Sequence, residues 1–444
     1  MPPRPSSPSM AYGPTCVGSA EALPSRRESE RGGPEGGGPY GGGVGPKRWV
    51  THGVSTSRGR RASRTLLPVT YLDHNASNPP DPRLLEVYAR TQRDGWANPS
   101  SAHKPGRTAR AFLETAREQV AALCGVAPAR VTFGASGTEL LNQALRTVAG
   151  PGAAIVASAV EHAAVLGPLE ALQREGTTAR PADVDAAGRV DVAGLVATLR
   201  EVEAAGRPAA LVAVLAAQNE TGVLQPLDAI GATCAAAGVP LLVDACQAVG
   251  RVARDWARTP WDFLVVSGHK LRAPRGAAAL VHRGRAPEPR RLLHGGAQEL
   301  GRRAGTEDVS AIASLGEACA LARAGALLDP AALLALRDAF EARLLEIPGL
   351  EVIARGVERL PQTTAVLVRG GDSEPLLAGL DLAGFAASAG SACSSGALEP
   401  SHVLRAMGVP DARARGRLRF SFGPETTRAE LEAAAAALAR LAPR

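Results

Sequence analysis

The chain has 444 residues, 45% hydrophobic and 21% charged, enough apolar material for a large core and two or three domain-sized units, which excludes a fibrous or wholly disordered protein. Its formal net charge of +7, from 50 basic and 43 acidic side chains, raises a nucleic-acid or membrane-surface reading. Position removes most of that reading: residues 1–68 hold ten basic and four acidic side chains, leaving 40 and 39 for the rest of the chain.

The six cysteines form no CxxC pair and no zinc-type Cys/His spacing, so no metal site is expected and a reduced, intracellular setting fits. No run of about 18 apolar residues predicts a membrane-spanning helix. Residues 1–68 cluster Pro, Gly, Ser and Arg, with GGGPYGGG in the middle and no apolar periodicity. Such a segment cannot bury enough surface to offset chain entropy, and it reads as a disordered tail. It lacks the apolar core of a secretory signal. Its glycine runs and four glutamates work against an amphipathic transit helix, and a translation start further along the chain accounts for it equally well.

From Val69 the pattern alternates between helical periods and short apolar runs. Helices are expected across 107–123, 224–237, 331–345 and 428–441. Strands are expected at AAIVAS (153–158), AALVAVL (209–215), PLLVD (240–244), DFLVVS (262–267) and GAAALVH (276–282). Runs that are apolar throughout and separated by helices predict an α/β fold, a mainly parallel sheet with helices on both faces. In such sheets ligands sit beyond the carboxyl ends of the strands. Glu161 and His162 follow the first run, Gln218, Asn219 and Glu220 the second, Asp244 and Gln247 close the third, and Ser267 to Lys270 follow the fourth. Four strand ends thus converge on one crevice. The expected division is a large domain over 69–325, whose first residues can pack on its neighbour, and a smaller α+β C-terminal domain over 326–444 that carries SAGSACSSG.

The chain has only three lysines, Lys47, Lys104 and Lys270. Lys270, after a buried strand and beside His269, suits Schiff-base chemistry if its amine is desolvated; a surface loop lysine is the plainer account. Asp244 ends an apolar strand and must be partnered, by a protonated pyridine nitrogen, a helix N-terminus or an arginine. His162 could stack on a flat ring and exchange protons, or serve as a structural hydrogen-bonding residue. Ser136-Gly137-Thr138-Glu139 precedes a helical run, where it can hold a phosphate or act as a capping box. Cys393, in a Gly/Ser-rich loop, could reach the crevice as a nucleophile or be an incidental free thiol. Cys124, Cys234 and Cys319 sit on helical patterns and are expected in the core. Cys246 falls in the DACQA turn and Cys16 in the tail.

Together these stretches resemble the class V aminotransferase family of pyridoxal-phosphate enzymes, and within it the NifS/IscS-like cysteine desulfurases. The matching segments run from YLDHNASNPPDPR (71–83) through NPSSAH (98–103), VEHAAVL (160–166), QNETGVLQPL (218–227), VDACQAVGR (243–251), SGHK (267–270) and HGGAQELGRRAGTED (294–308) to SAGSACSSGALEPSHVLRAMGV (388–409) and RLRFSFGPETT (417–427). The resemblance implies a fold-type I enzyme that binds pyridoxal 5'-phosphate in the large domain and converts L-cysteine to L-alanine. Lys270 would hold the cofactor and shuttle the Cα proton, Asp244 would pair with the pyridine nitrogen, Gln247 with the phenolic oxygen, and His162 would stack on the ring. Gly137, Thr138, Ser267 and His269 would bind the phosphate, with Thr306 reaching it from the second subunit of a homodimer. Asn219, Arg419 and Asn75 would bind the substrate, Arg419 as a bidentate fork on its carboxylate. Cys393 would take the sulfur as a persulfide and deliver it to an acceptor protein such as an iron–sulfur scaffold, in the cytoplasm, without nucleic acid or membrane.

Three stretches depart from the family pattern: GASGTELLN (134–142), where the phosphate cup keeps Thr138 but loses polar neighbours, Arg272 in place of a frequent tyrosine, and Gln218 opening QNETG. The competing readings are a selenocysteine lyase, which shares nearly every cofactor contact, and another class V enzyme such as an aminotransferase, which has no need of Cys393. The sequence around Cys393, followed by LEPSHVLRAMG, favours the desulfurase. A nucleic-acid-binding protein would need a reading motif, and none is present.

Overall fold

A computed structural model describes residues 69–390 and 401–443. The tail reading for 1–68, Cys16, and Cys393 in its loop fall outside the described residues. Everything described falls in one compact unit, Thr65–Arg444.

The chain enters through β1 (Thr70–Tyr71), then α1 (Pro82–Asp94) and α2 (Lys104–Cys124). There follow β2 (Val131–Gly134), α3 (Gly137–Val148), β3 (Ala154–Ser158), α4 (Ala163–Arg174), β4 (Thr178–Ala182), α5 (Val192–Ala204), β5 (Ala209–Leu215), α6 (Leu227–Ala236), β6 (Leu241–Asp244), β7 (Phe263–Ser267) and β8 (Ala278–His282). The seven strands β2 to β8 build one sheet in the order β2-β8-β7-β6-β5-β3-β4, flanked by their helices. From β4 to β7 every pairing is parallel, and only β8 runs antiparallel, to β7 and to β2. β3, β6, β7 and β8 are buried along their whole length, because helices cover both faces and leave no side facing water.

Two strands escape the apolar-run criterion. β4 reads TARPA and sits at the sheet edge, where a proline costs no ladder hydrogen bond and polar side chains stay wet. β2 is only four residues long. One helix is shorter than its periodicity predicts: α6 starts at Leu227, because Val223 and Leu224 bridge to Arg359 and Ala217 as short β-contacts and Pro226 caps the helix.

After α7 (Val309–Arg323) and α8 (Pro330–Leu344) come β9 (Leu350–Val352), β10 (Thr363–Val368), α9 (Ser373–Leu382), β11 (Phe385–Ala386), α10 (His402–Ala406), α11 (Asp411–Ala414), β12 (Arg417–Ser421) and α12 (Arg428–Leu441). β12, β10 and β9 form an antiparallel sheet, while β1 pairs in parallel with β11. Leu72 joins Phe340, Phe420, Leu431 and Leu438 in one buried cluster, so the first described residues and the last third of the chain share a core. This brings Asn75 and Arg419 within reach of each other.

Candidate active site

A cavity of about 210 Å³ opens at the carboxyl ends of β3, β5, β6 and β7. Asp244 closes β6, whose four residues are all buried, and its carboxylate accepts from the Cys246 N–H at 3.0 Å. β7 runs into a single 3-10 turn, Gly268–Leu271, that carries His269 and Lys270 to the cavity wall. Arg272 ends this turn in the left-handed region at φ 62°, with its buried guanidinium on Glu425.

Lys270 Nζ donates to the carbonyl of Ala76 at 2.9 Å and to that of Asn75. Burial, then Arg251 and Arg419, lower its pKa to about 8, so an appreciable fraction of the amine is free base at neutral pH. The same burial, with Lys270 and Arg251 beside it, holds His269 down at about 4. His162 is the N-cap of α4, and its Nδ1 accepts from the Ala164 N–H at 3.1 Å. That bond assigns the neutral ring's proton to Nε2. Its structural role and its place in the cavity wall are therefore both realised.

At the other end, α3 points its N-terminus inward. Ser136 caps it by accepting from the Glu139 N–H at 3.2 Å, and Glu139 returns a bond to the Ala135 N–H at 2.9 Å. Glu139 reaches Ala135 and not the N-cap Ser136, so the end is capped by a side chain without a full capping box, and Gly137 and Thr138 line the cavity. A Cβ on Gly137 would come within 3.1 Å of Cys246 Sγ, a tight contact that glycine avoids.

Arg419, 2% exposed on β12, donates from Nη1 to the Asn219 carbonyl at 2.9 Å and pairs with Asp73 through Nη2. Its Nε has no partner among the described residues. Gln247 donates to the Asn75 carbonyl at 2.9 Å and accepts from Arg251. The Asn75 amide is taken up by protein: its Nδ2 reaches the Asn219 carbonyl at 3.1 Å and Thr363 Oγ1 at 3.0 Å, and its Oδ1 accepts from Arg251 at 3.0 Å.

The cavity thus gathers Asn75, Gly137, Thr138, His162, Asn219, Asp244, Gln247, Ser267, His269, Lys270 and Arg419. Thr306 is exposed and lies outside this wall; Cys393 is beyond the described residues. Sequence reasoning missed Arg251 and Asp73, which hold Gln247 and Arg419. The only signal was that both lie inside matching segments. Gln218, at the departure from NNETG, shapes its own loop, with its amide on the Val160 carbonyl at 3.1 Å and on the Thr221 N–H at 3.2 Å. Cys124, Cys234 and Cys319 are buried, and burial pushes the first two thiols up to about 12. Cys246 lines the cavity, where burial and Asp244 keep its thiol protonated.

Glu161 is wholly buried between the ends of β3 and β5. Oε1 accepts from the Ser158 hydroxyl at 2.6 Å and the Leu215 N–H at 2.7 Å, while Oε2 has no partner. Burial raises its pKa to about 8 from 4.5. The folded state therefore binds more protons than the unfolded chain between those values. Its contribution is fully present below the lower pKa and is lost as pH rises through the upper one. Chemical denaturation of wild type and Glu161→Gln from pH 5 to 8 is expected to show stability falling in wild type by up to about 1.4 kcal/mol per pH unit relative to the variant. Parallel curves for the two proteins would refute the assignment.

The donor set suits a flat anionic ligand: a helix N-terminus with two hydroxyls for a phosphate, a carboxylate in the wall able to pair with a protonated ring nitrogen, an amine, and a guanidinium with an unused Nε. Pyridoxal phosphate, which the resemblance implies, fits this set. Among the described residues no cluster of His, Cys, Asp or Glu is placed to hold a metal ion, and no helix is long and apolar enough to cross a membrane.

The comparisons agree with the geometry. The aminotransferase class-V family model matches residues 70–434. A cysteine desulfurase of Trichormus azollae is 40% identical over 370 residues, 82% of this chain and 91% of that protein. One of Gluconacetobacter diazotrophicus is 41% identical over 369 residues, 82% and 90%. Among solved structures, the NifS-like protein of Rickettsia africae superposes with a TM-score of 0.75 at 30% identity, covering 84% of this chain and 99% of that one. SspA in complex with cysteine gives 0.69 at 28% identity, covering 80% and 99%. A lysine at the end of a buried parallel strand, facing a helix N-terminus and an aspartate, is the fold-type I arrangement, and the chain belongs to the class V aminotransferase family. Its place within that family is with the NifS/IscS-like cysteine desulfurases.

Proposed function

We propose that the protein is a pyridoxal-phosphate-dependent cysteine desulfurase that converts L-cysteine to L-alanine and passes the sulfur through Cys393 to an acceptor protein. The observation that carries this is the Lys270 amine, its pKa lowered to about 8, in a cavity wall that also holds Asp244, the α3 N-terminus and Arg419. When bound, pyridoxal phosphate supplies the electron sink that C–S cleavage beside an amine requires.

The chain's own residues divide the remaining work. The N–H groups of Gly137 and Thr138, the hydroxyls of Thr138 and Ser267, and His269 would hold the phosphate. Asp244 would keep a proton on the ring nitrogen, Gln247 would donate to the ring oxygen, and His162 would stack on the ring. Arg419 and Asn219 bind the cysteine carboxylate, while Lys270 Nζ moves the proton at the substrate Cα. The Cys393 thiolate attacks the substrate sulfur. The new S–S bond leaves a persulfide on the enzyme, the C–S electron pair returns to the substrate carbon, and protonation there completes alanine. Asn75, its amide occupied by protein groups, acts by shaping the site. Thr306, exposed in the single chain, completes the phosphate cup of the other subunit in a homodimer. The chain divides on this reading into a cofactor-binding domain over 69–325 and a smaller domain over 326–444, a division supported by the separate sheets of β2 to β8 and of β9, β10 and β12. Reduced thiols and a persulfide product accord with the cytoplasm and with an iron–sulfur scaffold or thiolation protein as acceptor.

The deciding assay incubates the purified protein with pyridoxal phosphate, L-cysteine and a thiol reductant, and measures alanine and sulfide. Equal amounts of both are expected; pyruvate and sulfide together, or no sulfide, would refute the reading. Asp244→Asn removes a charge-assisted hydrogen bond worth roughly 2–3 kcal/mol. Alanine formation is therefore expected to fall about 30- to 150-fold, with KM for cysteine changed far less.

A further inference from the structure

Arg251 is among the largest fully buried side chains of the molecule, yet its hydrogen bonds go only to uncharged acceptors. Nη1 donates to Asn75 Oδ1 at 3.0 Å and to Gln247 Oε1. Nη2 donates to the carbonyls of His74 and Lys270, each at 3.2 Å. A buried cation without a counter-charge is costly, and all four of these partners belong to the wall behind the cavity or to the segments that form it.

A guanidinium can only donate. It therefore decides which end of each neighbouring amide turns toward it: the oxygens of Gln247 and Asn75 must face Arg251. For Asn75 the two amide hydrogens are spent on Asn219 and Thr363. For Gln247 one hydrogen goes to the Asn75 carbonyl at 2.9 Å, and the residue lines the cavity, so its second hydrogen is left for a ligand acceptor. A rotated amide would present an oxygen to a ligand oxygen instead.

We propose that Arg251 is a positioning residue that locks Gln247 as a hydrogen-bond donor toward the cavity and sets an unneutralised positive charge behind the Lys270 amine. This rests on the reading of the cavity as a pyridoxal-phosphate site. The charge acts within a crowded set: Lys270 is faced by Asp244 and Cys246 from the end of β6, Arg419 from β12, His162 from the start of α4, and His269 from its own turn. After burial, Arg251 is the strongest of the influences that lower the amine's pKa.

Two measurements test this on the full-length protein. In cofactor-free enzyme, the affinity for pyridoxal phosphate is compared across wild type, R251K, Q247M and the double variant. Lysine keeps the charge but lacks the two-nitrogen fork. R251K is expected to weaken binding about tenfold, and the double variant to bind no worse than Q247M by more than about twofold, because Arg251 acts through Gln247. Additive losses, or unchanged binding in R251K, overturn the positioning role.

The second measurement needs no cofactor. With only three lysines in the chain, 13C-methylation gives a few resolvable amine signals, and the Lys270 signal is identified by its loss in K270A. Its titration midpoint is expected to rise by about one pH unit or more in R251M and to stay within a few tenths of wild type in R251K. A folded R251M with an unmoved midpoint overturns the charge effect. Should R251M not fold, the R251K and Q247M comparison decides alone. Should wild type bind no pyridoxal phosphate, the cofactor reading falls while the Lys270 titration still judges Arg251.

Discussion

Lys270→Ala is expected to abolish the visible absorbance of the pyridoxal-phosphate-loaded protein and to lower alanine formation from cysteine by at least about 10³-fold, since one positioned proton-transfer group alone contributes roughly 10²–10⁴. Of the two lysines among the described residues, Lys104 and Lys270, Lys270 alone lines the cavity. The wild-type rate should rise with pH as the amine loses its proton near pH 8. Stability moves in the opposite direction. Lys270 has a folded-state pKa depressed below the ordinary 10.5. The unfolded chain therefore binds the extra proton between about 8 and 10.5, so the buried amine costs stability at pH 7, and that cost fades as pH climbs through this window. Lys270→Met is accordingly expected to have a Tm at or above wild type at pH 7, with the gain shrinking at pH 10. A K270A protein that retains its colour and more than a tenth of its activity would end the proposed mechanism.

The second large effect is expected at Cys393. Replacing it with alanine should leave the cofactor spectrum intact and the protein folded, yet reduce sulfide production to about 1% or less, since the sulfur loses the only nucleophile assigned to receive it. Cys246 cannot take over: its thiol is held protonated by burial and by Asp244, and the thiolate is the reactive form. The described residues on either side of 391–400 are tied to the cavity wall beside Arg419 and Asn219. Ser388 pairs with the backbone of Arg419, and the Ser401 hydroxyl donates to Glu220 at 2.6 Å, one residue from Asn219. The check is a single-turnover reaction followed by mass spectrometry, in which wild type gains one sulfur and C393A gains none. Undiminished sulfide release from C393A would sink the persulfide step and favour a lyase that needs no thiol.

The legible parts of this protein were those in which local pattern and burial coincide. β3, β5, β6 and β7 read as unbroken apolar runs because both faces of the sheet are covered, and the polar residues just past them, from His162 to Lys270, therefore stood out. β4 did not stand out, because an edge strand tolerates Arg180 and Pro181. The periodicity at 224–237 overran α6, because two apolar residues there serve short β-bridges rather than a helix face. Residue type also left roles open. Asn75 carries the same amide as any ligand-binding asparagine, and only its partners show that Asn219, Thr363 and Arg251 consume it.

The sequence by itself determined the class of fold and the strand ends that line the cavity, and the resemblance of its ordered segments to a known family implied the reaction. All of these depend on neighbours along the chain, where the alternation of apolar and polar residues records burial directly. What the tertiary structure alone decided is how the site is charged and aimed. Arg419 meets Asn219 across 200 residues and Asp73 across 346, Arg251 sits unneutralised behind Gln247, and burial lowers the Lys270 amine. These are effects of low dielectric and of contacts between distant segments, and neither is visible until the core shared by Leu72 and Phe420 has closed.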